Sequence, residues 1–188
     1  MPQSQLLESV VAVLDDLRLE YMLTGSLVSS MQGEPRATHD IDLVVSIREE
    51  AIPQLVARFY APHYYLSEAA VKEAVKTRGM FNLLDTREGD KVDFWLLTDT
   101  PFDQSRFARR IVQDVGGLDV PVSSPEDTIL AKLQWCSLAG GSEKQFYDAL
   151  RVYEVQYGAI DEQYLLRWIA ELSLEALWAR LRGEAEPL

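Results

Sequence analysis

Acidic side chains interrupt two apolar segments of this sequence. Asp40 and Asp42 flank Ile41 in DIDLVV, and Asp93 is the charged residue of VDFWLL. Ionised carboxylates are costly to desolvate and repel one another, so such a placement calls for compensating positive charge. Residues two apart in a strand point to the same face. Because Mg²⁺ prefers carboxylate ligands and suits displacement at phosphorus, the three aspartates predict a Mg²⁺ site for a polyphosphate.

A Gly-Ser pair precedes these acids and suits a turn that binds phosphate. Gly25 and Ser26 follow the apolar segment YMLT. Glycine lets the backbone approach a phosphate closely, and a helix N-terminus offers unpaired N–H groups. Arg36 and Thr38 come shortly before the paired acids. We predict that they steady the incoming phosphate, with a simple salt bridge as the alternative for Arg36.

Each of these features also has an ordinary structural explanation. Gly-Ser pairs occur at many turns, acids are common on edge strands, and Asp93 could pair with Arg87 of the same region. The order and context of the three motifs together favour a functional site over these explanations.

The hydrophobic pattern predicts the elements that position these residues. Predicted strands cover 20–24, 40–46, 80–84, 91–97, 110–114 and 118–122, and predicted helices cover 4–17, 48–59 and 67–76, with a short one after Ser26. From Ser124, which is followed by Pro125 as a helix start, the chain reads as helical to residue 182, with breaks at Gly140-Gly141 and at YGAID. We therefore predict an α+β or α/β core over residues 1–122 and a helical C-terminal region over 123–188.

The charge and the cysteine content of the sequence exclude some kinds of site and make non-specific binding to nucleic acid unfavourable. The 188 residues carry a formal charge of −12, which opposes non-specific binding to nucleic acid but allows a local basic groove. Cys136 is the single cysteine, so an intramolecular disulfide and a cysteine zinc site are excluded. The N-terminus lacks a signal-peptide pattern and no apolar run has membrane-spanning length. We expect a cytoplasmic protein with no membrane partner.

The order of these motifs resembles the DNA polymerase β-type nucleotidyltransferase superfamily. The matching stretch runs over residues 21–97: Gly-Ser, then two aspartates separated by one apolar residue, then a lone aspartate on a later apolar strand. RATHDID resembles the R-x-T-x-D-I-D form of the AbiEii-type toxin family. SPEDTILAKL and EKQFYDALRVYEV are similar to the second half of that family.

The resemblance implies a mixed-sheet catalytic core, Mg²⁺, and transfer of a nucleoside monophosphate from an NTP such as ATP to an acceptor hydroxyl. It implies that the three aspartates hold the metals and that Gly25 and Ser26 hold the triphosphate. Lys132 and Lys144 are the implied phosphate contacts, and Asp148 matches the acid of the later helix. The chain departs from the family in having Thr24 where a second glycine is frequent, and in the residues that separate Lys144 from Asp148.

The sequence does not identify the substrate whose hydroxyl would accept the nucleoside monophosphate. Some members of the group modify the acceptor end of tRNA as toxins, which would imply an antitoxin partner. A cationic small molecule of the aminoglycoside type is the alternative acceptor, and an acidic surface would suit it. A protein of a different class, a non-catalytic nucleotide-binding or protein-binding module with the same fold, is the remaining alternative.

Overall fold

The computed structural model describes residues 2–38 and 40–186. Its strands are β1 (Glu20–Thr24), β2 (Asp40–Ser46), β3 (Tyr64–Leu66), β4 (Met80–Asp85), β5 (Lys91–Leu96), β6 (Ile111–Asp114) and β7 (Asp119–Val122). Its α-helices are α1 (Pro2–Asp16), α2 (Gly25–Gln32), α3 (Ile52–Arg58), α4 (Glu68–Thr77), α5 (Pro101–Ala108), α6 (Pro125–Leu138), α7 (Glu143–Gln156), α8 (Glu162–Glu171) and α9 (Glu175–Glu184). None of these helices is long and apolar enough to cross a membrane.

The described chain forms two compact units. Residues 2–24 and 40–122 make up the first unit, and residues 25–38 and 123–186 make up the second. The sequence pattern does not group residues 25–38 with the C-terminal region, whereas the structure does. The domain boundary at residue 122 stays a prediction.

The first unit is built on one seven-stranded mixed sheet. Its strand order is β3-β4-β5-β2-β1-β7-β6, with β2 parallel to β5 and antiparallel to β1. Buried side chains such as Ile41, Leu43 and Phe94 alternate with half-buried polar ones along the central strands. This mixed sheet with flanking helices confirms the predicted fold class.

Local sequence signals account for most of the element boundaries. β1 and β2 have the predicted bounds, and β4 and β5 form the predicted hairpin. The side chains of Ser67 and Ser124 cap α4 and α6, as expected from their positions. The 3₁₀ turn Glu49–Ala51 precedes α3, so the single helix predicted over residues 48–59 is wrong in its first turn.

The hydrophobic pattern does not predict β3 and α5 of the first unit. In the second unit, one predicted helix is divided in two. β3 is a three-residue strand, too short to show an alternating pattern. α5 is a short helix introduced by the cap Thr100 and by Pro101, signals that the pattern of apolar residues did not reveal. The helix predicted to follow YGAID breaks again between α8 and α9, where Ser173 adopts a left-handed conformation with a φ of 55°.

The second unit packs α2 against the long helices α6 and α7. The chain passes close to α7 at Gly33, which follows the last residue of α2. A Cβ atom on Gly33 would lie 2.8 Å from the backbone nitrogen of Val152 and 2.9 Å from the carbonyl carbon of Arg151. Only glycine therefore allows the chain to pass the α7 backbone at this distance.

Gly33→Ala is expected to lower the free energy of unfolding by about 1–3 kcal/mol, because the added methyl group overpacks a backbone contact that cannot yield. Urea denaturation measures the change. Gly183→Ala is the matched control, since its Cβ meets no heavy atom of the described chain within 4 Å. That change should be neutral or stabilise by up to about 1 kcal/mol. Equal effects of the two substitutions would contradict the packing argument.

Candidate active site

Three aspartates of the first unit lie on one face of the central strands. β2 carries Asp40 and Asp42, both half-buried, with their side chains on the same face. In the parallel pairing of β2 with β5, Asp42 stands opposite Asp93. Neighbouring strands lie about 4.8 Å apart, so these two carboxylates come from adjacent positions. We call Asp40, Asp42 and Asp93 the acidic patch.

Polar side chains extend the acidic patch across the sheet. Asn82 of β4 stands opposite Asp93, and Thr24 of β1 stands opposite Asp42. The row Asn82, Asp93, Asp42 and Thr24 thus crosses four strands and presents oxygen atoms throughout. Oxygen is the ligand atom that Mg²⁺ prefers.

The three aspartates are not explained by an edge-strand position or by pairing of Asp93 with Arg87. β2 and β5 lie inside the sheet with a paired strand on either side, so neither aspartate segment is an edge strand. Arg87 binds Asp85 through a 2.6 Å contact between its Nη2 and Oδ2, and it is therefore engaged by a carboxylate other than Asp93.

Lys91 supplies positive charge to the acidic patch. Its Nζ donates a 2.7 Å hydrogen bond to Asp93 Oδ2, and its backbone stands opposite Asp40 in the β2–β5 register. The hydrogen bond to Asp93 is the largest cause of the raised pKa of Lys91. Burial opposes it, and the electrostatic attraction of Asp93, Asp40 and Asp42 adds smaller increases to that pKa. Lys91 was missed by the sequence analysis, although its spacing of two from Asp93 on a strand was a usable signal.

The two ends of the acidic patch differ in their surroundings. Asp42 Oδ1 accepts a 3.4 Å hydrogen bond from Trp95 Nε1. The Trp95 ring packs against a buried apolar cluster that includes Met22 and Val44, so this end is anchored in the core. Asp93 Oδ1 is buried and has no hydrogen-bond partner among the described residues. A buried carboxylate oxygen without a partner is costly, and a bound cation would satisfy it.

The residues present fit a Mg²⁺ ion by their chemistry. The acidic patch offers three carboxylates, and Asp93 Oδ1 is a buried acceptor that no described residue uses. Within residues 2–38 and 40–186, no group of three or more His, Cys, Asp or Glu side chains is placed so that it could hold a metal ion. The role of the acidic patch in holding metal stays a prediction.

Asp42→Asn is expected to raise the melting temperature in the absence of divalent cations by about 1–4 °C. Like charges opposite each other on paired strands destabilise by roughly 0.2–1 kcal/mol, and asparagine keeps an oxygen for Trp95 Nε1. Thermal melts in EDTA measure the shift, with Asp99→Asn as the control because Asp99 is 83% exposed. A fall in melting temperature would contradict repulsion within the acidic patch.

The second unit holds a cluster of ion pairs in which Ser26, Lys132 and Asp148 are buried and Arg36 is more exposed. Arg36 donates two hydrogen bonds to Asp148, from Nε at 3.1 Å and from Nη2 at 2.9 Å. Lys132 Nζ lies 2.7 Å from Asp148 Oδ2 and 3.5 Å from Ser26 Oγ. We call these four residues the Asp148 cluster. The salt bridge considered for Arg36 is therefore present, and its partner is Asp148.

Charge compensation dominates at Asp148. Burial on its own would raise the pKa of Asp148, but the hydrogen bonds from Arg36 and Lys132 outweigh it and hold the pKa below its ordinary value. Asp148 is therefore ionised in the folded protein and fixes the positions of both cations.

The remaining predicted phosphate contacts differ in exposure. Gly25 has a φ of 73°, a left-handed conformation that favours glycine, at the first residue of α2. Ser26 is buried, and Thr38 is half-buried ahead of β2. Lys144 is exposed on the first turn of α7, so within the described chain Lys132 rather than Lys144 is the lysine paired with Asp148. Their phosphate roles stay predictions.

The fold is similar to that of solved nucleotidyltransferases. No protein-family profile and no curated protein sequence matches the chain. An antigenic nucleotidyltransferase-like protein from Paracoccidioides brasiliensis matches with a TM-score of 0.52 and 19% identity, over 94% of this chain and 91% of the other. ANT(2'')-Ia in complex with adenylyl-2''-tobramycin matches with a TM-score of 0.52 and 15% identity, over 97% and 98%. At these identities the likeness shows a nucleotidyltransferase-like fold.

Proposed function

We propose that the protein is a Mg²⁺-dependent nucleotidyltransferase that transfers a nucleoside monophosphate from an NTP to an acceptor hydroxyl. The observation that carries the proposal is the pairing of Asp42 with Asp93 on interior strands, with Asp40 on the same face. Half-buried like charges are kept in register only at some expense in stability, which favours a role in binding cations. The nucleotidyltransferase-like fold supports the same reaction class.

The acidic patch would hold Mg²⁺ through its carboxylate oxygens. When bound, Mg²⁺ supplies neutralisation of the phosphate charge and stabilises the entering and leaving oxygens. In the proposed reaction the acceptor oxygen forms a bond to the α-phosphorus while the bond from that phosphorus to the bridging oxygen breaks, and pyrophosphate leaves. Asp93 accepts the proton of the acceptor hydroxyl.

The phosphate contacts are assigned by charge and by backbone conformation. Gly25 and Ser26, which directly follow β1 in the chain, are proposed to bind the triphosphate through backbone N–H groups and the Ser26 hydroxyl. Lys132 and Arg36 are proposed as cationic contacts, because Asp148 holds both in defined positions. Thr38 and Lys144 are proposed as further contacts in the same role.

A cationic small molecule of the aminoglycoside type is the acceptor that charge favours. The formal charge of −12 attracts a polycation and repels the phosphates of tRNA. The structural match to ANT(2'')-Ia, which was solved with adenylyl-2''-tobramycin, is in line with this acceptor class. Transfer to tRNA by a toxin that an antitoxin neutralises is the competing proposal, and it follows from the resemblance of RATHDID to the AbiEii-type family.

The deciding experiment measures pyrophosphate release with each NTP, with Mg²⁺ or EDTA, and with an aminoglycoside panel or total tRNA as acceptor. Mg²⁺-dependent release with one acceptor class is the expected result, and the labelled product identifies the acceptor. Calorimetry with the same NTPs separates the alternatives. Mg²⁺-dependent binding with no release on either panel would favour a non-catalytic nucleotide-binding module. Absence of NTP binding would contradict the proposal as a whole.

A further inference from the structure

Lys91 is much more exposed than Asp93, the aspartate that its side chain contacts. Its side chain is 47% exposed, whereas the side chain of Asp93 is only 13% exposed. The Nζ–Oδ2 contact of 2.7 Å is thus made by a long side chain that reaches in from solvent to a carboxylate fixed on an interior strand. The ammonium can leave without disturbing the sheet, and Asp93 cannot.

The position of Lys91 connects it to all three acids. The β2–β5 register places Lys91 opposite Asp40 and Asp93 opposite Asp42, so the lysine belongs to the same face as the acidic patch. A single positive charge therefore offsets part of three negative ones.

We infer that Lys91 is a built-in counter-cation of the acidic patch, which a divalent ion must displace from Asp93 in order to bind. The inference rests on the proposed function in one respect, that the acidic patch binds a divalent ion. It goes beyond that function because it proposes that Lys91 controls the affinity of the acidic patch for a divalent ion. A divalent ion and the ammonium compete for the Asp93 carboxylate, because two positive charges at such short range repel each other.

Competition between Lys91 and a divalent ion predicts a change in metal affinity that a purely structural role of Lys91 does not. Removing the ammonium frees Asp93 and abolishes the repulsion, so metal affinity should rise. The same change removes the ammonium charge that faces the acids when no metal is present, so stability in EDTA should fall. A lysine that merely supported the fold would lower stability without raising metal affinity.

The test uses Mn²⁺ as the probe, with free Mn²⁺ followed by electron paramagnetic resonance. Lys91→Met is expected to bind Mn²⁺ about tenfold more tightly than the wild type and to melt about 1–4 °C lower in EDTA. Lys91→Gln serves as a second variant if methionine impairs folding. Lys72→Met is the matched control, because Lys72 also forms a 2.7 Å ion pair, with Glu68, outside the acidic patch. The control should leave Mn²⁺ affinity unchanged.

The outcomes separate this inference from the proposed function. Unchanged or weaker Mn²⁺ binding by both Lys91 variants, with measurable binding by the wild type, would overturn the inference and leave the metal site standing. Tighter binding by the Lys72 variant as well would reduce the effect to net charge and also overturn it. If neither the wild type nor the variants bind Mn²⁺, the metal site itself fails, and the inference fails with it.

Discussion

Asp42→Asn is expected to reduce Mg²⁺-dependent pyrophosphate release by roughly a thousandfold or more. Metal-assisted stabilisation of transferring phosphoryl groups contributes several kcal/mol, and each 1.4 kcal/mol corresponds to about tenfold in rate. Asp42 stands in register with Asp93 in the acidic patch, and an amide there lacks the charge to hold a divalent ion. The fold should persist, because asparagine keeps the oxygen that accepts from Trp95 Nε1.

The measurement compares pyrophosphate release and Mn²⁺ binding by Asp42→Asn with those of Asp99→Asn. Asp99 is an exposed acid that lies 3.8 Å from Arg78 and outside the acidic patch, so this control should keep wild-type activity and metal affinity. Retention of both properties by Asp42→Asn would remove Asp42 from the metal site. Loss of activity with unchanged Mn²⁺ affinity would move its role from metal binding to substrate binding.

Asp148→Asn is expected to lower the free energy of unfolding by about 3–5 kcal/mol, a loss on the order of 10 °C in melting temperature. The change removes the negative charge shared by Arg36 and Lys132 and leaves the Lys132 ammonium, only 5% exposed, without compensation from this residue. Breaking a buried ion pair from one side is strongly destabilising for this reason. Chemical denaturation measures the loss, and Asp99→Asn again provides the exposed control.

A double substitution tests the mechanism of that loss. Adding Lys132→Met to Asp148→Asn should recover part of the stability, because the buried ammonium is removed along with its partner. If the losses of the two single variants simply add, the destabilisation does not come from an uncompensated charge.

The same carboxylate makes stability depend on pH in a defined direction. Since the pKa of Asp148 is lower in the folded protein than in the unfolded chain, its contribution is fully present above the unfolded value of about 3.9. It is lost as the pH falls through the folded pKa. The difference in unfolding free energy between wild type and Asp148→Asn should therefore be constant near pH 6 and shrink below about pH 4. A difference that persists unchanged at pH 2 would contradict this assignment.

Local pattern predicted the strands that carry the acids, but not how those strands pair. The bounds of β2 followed from alternating apolar and acidic residues, and the turn at Gly25 followed from its residue type. The parallel register that brings Asp93 beside Asp42 joins segments about 50 residues apart in the chain and depends on sheet packing. Alternation fixes which face a side chain occupies, and it leaves the partner strand undetermined.

The ion pairs Arg36–Asp148 and Lys91–Asp93 differ in whether the sequence could indicate them. Arg36 and Asp148 are separated by 112 positions, so no helical or strand spacing could indicate that they bind each other. Lys91 and Asp93 are separated by only two, and the strand pattern places them on one face. The spacing of these two residues on a predicted strand therefore indicates this ion pair from the sequence alone.

The interior position of β2 has a consequence for how the acids respond to ligands. Because β2 is hydrogen-bonded to β1 on one side and to β5 on the other, its backbone cannot spread to relieve repulsion between Asp40 and Asp42. Amide protons of this strand should be among the slowest in the protein to exchange with solvent. The carboxylates are thus preorganised, and only side-chain rotations remain to be completed when a cation arrives.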